Sequence, residues 1–322
     1  MIKAGARILA TAVLATLVNV ASAAPFPERP ITVVTPFPAG GATDALTRVL
    51  TEHMGKTLGQ SLIVENRAGA ATTIGASYAA REKPDGYTVL LATNSTLVTN
   101  RYLYKTLSYD PDAFAPIGMI GIGPMVLLAS KKHKFNNVAD VVAFAKKSPS
   151  TLSIASFGAG TSSHLAAEYF QQVADIKMLH VPFKGSTQAL PQLIGGDIDL
   201  FFDMVATGMP QAKSDKVDVL AITSKKRLSS LPELPTISEL GYPNFEMTAW
   251  FSLVAPQGTP EVVTDTLRKA LQAALKDSAV RQRLLDMGIE PGDGSAEALA
   301  KQIRTESPVI DALVKRANIT VQ

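Results

Sequence analysis

The sequence predicts an α/β fold, in which an open β-sheet carries helices on both of its faces. Short β-branched runs such as Ile31–Thr35 alternate along the chain with segments whose apolar residues recur at helical spacing. Many of these runs are apolar at every position, as strands buried on both faces are. The chain has 322 residues, enough for two domains of ~100–200 residues each.

The N-terminal part of this pattern contains three predicted strands and two helices. Strands are expected at Ile31–Thr35, Leu62–Glu65 and Tyr87–Ala92. A helix is expected from Asp44 until Gly59, a residue type that commonly ends helices. The second helix should follow the segment 67–73, before a Pro-Asp-Gly turn at 84–86.

The pattern continues through the middle of the chain and changes near its end. Strand-like segments at Ile117–Ala129 and Trp250–Ala255 flank the middle block and are the candidate crossings between two domains. The tail from Pro260 is predicted to be mainly helical. In the middle block we expect strands at Met125–Ala129, Leu152–Ala155, Ile198–Phe202 and Val217–Ile222, together with a short strand that ends at Val181. Asp203 follows the strand Ile198–Phe202. Helices are expected at Val138–Lys147 and around Leu165, Tyr169 and Phe170.

The first 23 residues have the pattern of a secretory signal peptide. Lys3 and Arg7 precede an almost wholly apolar run, Ile8–Val20, which ends in a small-x-small cleavage pattern at residues 21–23. That run is shorter than the ~20 residues of a membrane-spanning helix. We therefore expect cleavage after Ala23 and a soluble mature protein in a bacterial periplasm.

Charge and cysteine content exclude several classes of function. Removal of the leader leaves 29 basic and 28 acidic residues, a net charge of +1. This charge lacks the positive excess that is typical of nucleic-acid-binding proteins. The sequence has no cysteine. Disulfides, thiol nucleophiles, cysteine-ligated metals and a lipoprotein anchor are therefore excluded.

The loops that follow the predicted strands share a composition suited to anion binding. They cover 36–43, 69–73, 93–95, 156–163, 183–187 and 203–208, and they are rich in Gly, Ala, Ser and Thr. Ligands of open α/β sheets bind beyond the carboxyl ends of the strands. Four of these loops lead into helix N-termini, where unpaired N–H groups and the helix dipole favour a negative charge.

Other kinds of site find little support in the sequence. No Gly-Lys-Ser/Thr follows Gly41, and the glycines at 158 and 160 lack the remainder of a dinucleotide fingerprint. His53, His133 and His180 have no carboxylate at metal-ligand spacing. We therefore expect no cofactor and no metal. Asp44 is open to two interpretations, helix cap or ligand contact. Asp203 could orient a ligand donor or cap the next helix, and His164 could form a local hydrogen bond or contact the ligand.

Several motifs together resemble one protein family across essentially all of the predicted mature chain. They are PFPAGGATD (36–44), ENRAGAATTIGA (65–76), KPDGYTVLLAT (83–93), FGAGTSSHLAAE (157–168), VPFKGSTQALPQLIGGDIDLFFD (181–203), LPELPTISELGYPNFE (231–246) and WFSLVAPQGTP (250–260). In this order they resemble the Bug or TctC substrate-binding proteins of tripartite tricarboxylate transporters.

The resemblance implies a type II periplasmic binding protein fold, with two doubly wound α/β domains joined by a hinge. Residues 24–123 and 255–322 would form domain 1, and 124–254 domain 2. In that family, loops matching 37–43 and 70–73 hold a ligand carboxylate through backbone groups and waters. Ala71 stands where the family often has glycine. The residues we expect to bind ligand are Phe37, Ala39, Gly40, Gly41, Thr43, Asp44, Ala70, Ala71, Thr72, Thr73, Thr93, Ser156, Gly158, Ala159, Thr161, His164 and Asp203.

The leading hypothesis is a monomeric, non-catalytic protein that captures a small carboxylated solute by hinge closure. It would deliver that solute to membrane permease subunits of a tripartite tricarboxylate transporter. A ligand-loaded partner of a sensor kinase is one alternative. A secreted hydrolase using Ser156, His164 and Asp203 is another, although no G-x-S-x-G elbow surrounds the serine. A dicarboxylate, an amino acid and an aromatic acid all remain open as ligands.

Overall fold

The computed structural model describes residues 26–317 and 319. The predicted leader lies outside the described residues. The strands are β1 (Ile31–Thr35), β2 (Leu62–Asn66), β3 (Thr88–Thr93), β4 (Phe114–Ser130), β5 (Ser153–Ser156), β6 (Leu179–Pro182), β7 (Leu200–Met204), β8 (Val217–Ile222), β9 (Thr248–Pro256) and β10 (Glu290–Pro291). The helices are α1 (Ala42–Leu58), α2 (Thr73–Arg81), α3 (Asn100–Leu103), α4 (Val138–Lys147), α5 (Ser162–Ala174), α6 (Ser186–Gly195), α7 (Val205–Lys213), α8 (Glu261–Lys276), α9 (Ser278–Asp286) and α10 (Ala296–Ala317).

The strands form one mixed sheet in the order β2-β1-β3-β9-β4-β7-β5-β6, with β8 and β10 also paired to β4. The predicted α/β class, with alternating strands and helices, is confirmed. β1, β2 and β3 are parallel to one another, and so are β5, β6 and β7. β9 is antiparallel to both β3 and β4, and β7 is antiparallel to β4.

These directions bring two sets of strand ends face to face. β4 runs the same way as β1–β3, and its residues up to Pro124 pair with β9. From Met125 onward it pairs with β7 and β8 instead. Because β5–β7 run against β4, their carboxyl ends point back toward the carboxyl ends of β1–β3. The junction near Pro124 is therefore where loops of both halves of the sheet meet.

β4 is much longer than the strand predicted at Met125–Ala129, and it contains the whole of the strand-like segment predicted at Ile117–Ala129. Glycines and prolines interrupt the first half of this 17-residue strand, and the pairing with β9 shifts register twice there. A Cβ at Gly118 would overlap the carbonyl of Gly294, and one at Gly121 would overlap that of Glu290. These glycines let the segment leading into α10 lie directly against β4.

β7 also differs from its prediction, which was a strand at Ile198–Phe202 that ends before Asp203. Asp203 lies inside β7, opposite Val126 of β4, and the strand continues to Met204. β9 pairs along its length with β3 and with the first half of β4. The division of the chain into two domains at the residues given above stays a prediction.

Among residues 26–317 and 319, no helix is both long enough and apolar enough to cross a membrane.

Candidate functional site

An inner cavity lies where the two sets of strand ends meet. Thr93 at the end of β3, Met204 at the end of β7 and Phe251 of β9 form part of its wall. Its free volume is about 30 Å³, room for one or two water molecules. The lining residues, all of them uncharged, are Phe37, Pro38, Gly41, Ala42, Thr43, Thr93, Asn94, Ser95, Phe157, Ser162, Gly185, Ser186, Thr187, Met204, Ala249 and Phe251.

Three helix N-termini converge on this cavity. They belong to α1, α5 and α6, which have 17, 13 and 10 residues. The residues preceding these helices are Gly41, Thr161 and Gly185, and none of them provides a side-chain hydrogen bond to its own helix start. The first N–H groups of each helix are therefore without a cap, and together with three helix dipoles they favour an anion in the cavity.

The cavity wall also contains a hydroxyl group without a partner. Thr93 is 3% exposed, and its Oγ1 makes no hydrogen bond within the described part of the chain. A buried polar atom left unpaired costs about 1–3 kcal/mol. Such a group at a cavity wall is placed to donate to a ligand or an ordered water.

An outer cleft continues from the inner cavity toward solvent, and Phe37 and Phe157 line both. One side of the cleft is the single 3₁₀ turn Ala70–Thr72. Its three residues have φ values of 44°, 47° and 77°, in the left-handed region that L-residues seldom occupy. Lys184 is the one charged residue lining the cleft. Local strain of this kind is typical of binding loops.

The two halves of the molecule, one containing β1–β3 and the other β5–β7, touch across this cleft. Gly185 faces Pro38 so closely that a Cβ on the glycine would lie 3.1 Å from Pro38 Cδ. A Cβ on Gly158 would lie 3.8 Å from the backbone nitrogen of Ala71. The two halves therefore approach each other closely at two places along the cleft.

The structure brings part of the predicted set of ligand-binding residues together. Four of them line the inner cavity, and one of these, Phe37, lines the outer cleft together with five others. The other eight line neither space. The inner group is Phe37, Gly41, Thr43 and Thr93; the outer group is Ala70, Ala71, Thr72, Gly158 and Ala159; the remaining residues are Ala39, Gly40, Asp44, Thr73, Ser156, Thr161, His164 and Asp203. For all of them, ligand contact stays a prediction.

Asp44 stabilises the first loop from within. Its carboxylate accepts hydrogen bonds from the Gly40 N–H at 3.0 Å, Arg48 Nε at 2.9 Å and Asn66 Nδ2 at 3.0 Å. Burial opposes ionisation of this group, but these hydrogen bonds outweigh it and lower the pKa of Asp44. Asp44, in the first turn of α1, thus holds the loop that precedes this helix through the Gly40 N–H, and its contact with a ligand stays a prediction.

Thr72, Thr73 and Thr161 are likewise engaged in local contacts. Thr72 lines the outer cleft, yet its hydroxyl accepts a hydrogen bond from Thr96 Oγ1 at 3.0 Å. The Thr73 N–H donates to the carbonyl of Ala70. Thr161 Oγ1 donates to the carbonyl of Gly158 at 2.7 Å. These hydroxyls and amides hold the two loops in shape.

Ser156, His164 and Asp203 do not form the triad that the hydrolase alternative requires. Ser156 Oγ lies 2.6 Å from Nε2 of His180, not from His164. His164 instead accepts the Gly160 N–H through Nδ1 and stacks on His180 with 3.9 Å between ring centroids. Ser156 is fully buried. Burial, followed by the neighbouring His164, lowers the pKa of His180 to about 4, so a neutral ring shares the hydrogen bond with the serine hydroxyl.

Several cavity residues were missed by the residue-level prediction, although most belong to loops that it identified. Asn94 and Ser95 follow β3, and Ser186 and Thr187 are the first two residues of α6. The signal for them was present in the sequence, as hydroxyl and amide residues at strand ends. Phe251 carried no such signal, because its place on the cavity wall depends on the pairing of β9 with β3.

No metal centre accompanies the cavity: within residues 26–317 and 319, no three His, Asp or Glu side chains gather so as to hold a metal ion.

Comparisons with known proteins agree with this architecture. The family model for the tripartite tricarboxylate transporter family receptor matches residues 46–319. The structure of the periplasmic binding protein BugD is similar, with 38% identity and a TM-score of 0.88 over 92% of this chain and 100% of that one. An R. palustris protein solved with adipate is 33% identical, with a TM-score of 0.89 over 92% and 99%. MatC from Rhodopseudomonas palustris, solved with bound malate, is 33% identical, with a TM-score of 0.85 over 90% and 100%.

The family match covers most of the chain, and the similar structures share its fold at 33–38% identity. The predicted periplasmic binding protein fold is confirmed, as is the resemblance on which it rested. The chain therefore belongs to the tripartite tricarboxylate transporter receptor family, the TctC or Bug proteins, whose members are solute-binding proteins and not enzymes.

Proposed function

We propose that this chain binds a small carboxylated solute in the inner cavity and delivers it to the permease subunits of a tripartite tricarboxylate transporter. The observation that carries the proposal is the convergence of three uncapped helix N-termini on one uncharged cavity. Backbone N–H groups and helix dipoles would hold the carboxylate. The unpaired hydroxyl of Thr93 would add one more donor.

The structure supports a ligand with one carboxylate held deep and the remainder extending outward. The inner cavity is too small for a whole four-carbon acid, whereas the outer cleft has about 420 Å³ of free volume. Phe37 and Phe157 line the passage between them and offer apolar contacts. Similar proteins were solved with adipate and with malate, which supports a small carboxylic acid as the class of ligand.

Capture would proceed by opening and closing of the two halves about β4 and the segment that enters β9. β4 pairs with different strands before and after Pro124, so a small bend there would separate the two sets of helix N-termini. With the halves apart, no single half offers all the donors. A ligand that contacts both halves stabilises the closed state, and its differential affinity supplies the energy of closure.

The cellular setting follows from the sequence and the family. The leader predicted at residues 1–23 would export the chain, and the family name implies a membrane permease as the recipient. We propose that the mature protein acts as a monomer in the periplasm, since one chain carries both walls of the cleft.

A thermal-shift and calorimetry panel tests the proposal. The panel contains adipate, malate, glutamate and benzoate, and its matched control is adipamide, which has the length of adipate without its charge. At ~100 times Kd a ligand stabilises the folded state by about 2.7 kcal/mol, roughly 5–10 °C in melting temperature for a chain of this size. We expect at least one acid to produce this shift and adipamide to produce none. A flat response to every acid, or an equal response to adipamide, would contradict the proposal.

A further inference from the structure

A buried carboxyl group lies directly behind the inner wall of the cavity. Asp203 is fully buried, and the next residue, Met204, forms part of the wall. Asp203 Oδ1 accepts hydrogen bonds from Ser186 Oγ at 2.6 Å and from the Met204 N–H at 2.9 Å. Oδ2 has no hydrogen-bond partner in the described part of the chain. One half of this carboxyl group is therefore unsatisfied.

Ser186 connects this carboxyl group to the cavity. It is the first residue of α6, lines the inner cavity and is itself buried. While its hydroxyl donates to an ionised Asp203, the serine offers only lone pairs toward the cavity. Thr207 Oγ1 also lies 3.2 Å from Ser186 Oγ and 3.2 Å from the Met204 carbonyl, so it can donate to either oxygen.

The elements packed against β7 provide no cation for Asp203. They are β4, β5, α5, α6 and α7. β4, β5 and α6 contain no titratable side chain. α5 contributes His164 and Glu168, which lie 3.5 Å from each other, and Tyr169, whose hydroxyl donates to the carbonyl of Asn244. α7 has only Lys213, at its far end. Asp203 is therefore a buried acid balanced by hydroxyl and amide donors alone.

A buried carboxylate without a cation resists ionisation. Burial raises the pKa of Asp203 to about 7, although the hydrogen bonds from Ser186 and Met204 oppose the rise. A negatively charged ligand on the other side of Ser186 would oppose ionisation further, because the two charges would repel each other through a medium of low polarity.

We propose that Asp203 takes up one proton when an anionic ligand enters the inner cavity, and that this releases the Ser186 hydroxyl to donate to the ligand. The proton comes from solvent and forms an O–H bond on the carboxylate. The protonated acid then donates to Ser186 Oγ, and the serine hydrogen turns toward the ligand oxygen. Asp203 is thus a positioning residue that reverses the polarity of Ser186. This inference rests on the proposed function, since it needs an anion in the cavity.

Calorimetry with wild-type protein measures the proton directly. Adipate, or the panel acid that binds most tightly, is titrated at pH 8 in phosphate and in Tris, which differ in ionisation enthalpy. The ligand carboxyls are already ionised there, because such groups titrate near pH 4–5. We expect the apparent binding enthalpy to differ between the buffers by an amount that corresponds to proton uptake. We also expect Kd to rise up to tenfold per unit between pH 7 and 9.

The variant Asp203→Asn mimics the protonated acid in size and shape. We expect its Kd to be independent of pH between 7 and 9 and its buffer dependence to vanish. The matched control is Asp199→Asn directly before the same strand, whose carboxylate is already bonded to Ser153, His133 and Lys132. That variant should keep the wild-type pH dependence.

Each outcome separates this inference from the proposed function. Absence of binding by any acid would overturn both. Binding without proton uptake by the wild-type protein would overturn the inference alone, as would an Asp203→Asn variant that retains the full pH dependence. The wild-type buffer comparison needs no variant, so a failure of Asp203→Asn to fold leaves the test decisive.

Discussion

Replacement of Thr93 by valine should change ligand affinity and ligand-free stability in opposite directions. The Thr93 hydroxyl is buried at the cavity wall and has no partner among residues 26–317 and 319. Valine has nearly the same shape and is equally suited to the end of β3. If the hydroxyl donates to a ligand carboxylate, its loss removes a hydrogen bond to a charged group, worth ~1.5–3 kcal/mol. The same change also removes an unsatisfied polar group from the ligand-free protein.

The lost hydrogen bond sets the expected change in Kd, and removal of the unsatisfied hydroxyl sets the expected change in unfolding free energy. A loss of 1.5–3 kcal/mol corresponds to a Kd roughly 10–150-fold higher than that of the wild type. The unfolding free energy without ligand should stay equal or rise by ~1 kcal/mol. Isothermal calorimetry with the tightest-binding acid gives the first quantity. Urea unfolding monitored by circular dichroism gives the second.

Thr99→Val is the matched control for this experiment. Thr99 Oγ1 is also buried and unpartnered, but Thr99 does not line the inner cavity. We expect the control to change stability as Thr93→Val does and to leave Kd unaltered. Wild-type affinity in Thr93→Val would remove this hydroxyl from the site. An equal loss of affinity in Thr99→Val would show that the effect does not come from the cavity wall.

Two further predictions concern closure of the cleft and the buried histidine. Gly185→Ala brings a Cβ to 3.1 Å from Pro38 Cδ, so the halves must part by a few tenths of an ångström; we expect ~1–3 kcal/mol weaker binding by calorimetry. Gly195→Ala, at the other end of the same helix, meets only ordinary contacts and should bind normally, and equal affinities for the two variants would contradict the closed geometry. For His180, burial and then His164 lower the pKa from 6.5 to about 4. The unfolded chain therefore binds the proton more tightly, and unfolding free energy should fall by up to ~3 kcal/mol as pH drops from 6.5 to 4. Denaturant titrations at pH 7.5 and 4.5 check this; His180→Gln should show a smaller fall, and an unchanged fall would refute the assignment to His180.

The order of strands and helices could be read from the chain because it depends on local signals. The helix predicted from Asp44 to Gly59 appears as α1, with Gly59 in the left-handed conformation that ends it. The strand Val217–Ile222 has the predicted bounds. The strand-like segment Ile117–Ala129 lies within β4, Phe114–Ser130, although several glycines interrupt it. They are needed only because the segment before α10 lies against the strand.

The sequence by itself also determined the kind of site: loops of small and hydroxyl residues at strand ends, leading into helix N-termini and almost without charge. Which side chains face the cavity was decided by the tertiary structure. Asp44, Ser156 and His164 have the chemistry of ligand-binding residues, but each finds its partners within its own half of the molecule. Whether a side chain faces the cavity depends on how the two halves of the sheet are oriented about β4. That orientation comes from contacts between residues far apart in the chain, and local sequence patterns do not encode such contacts.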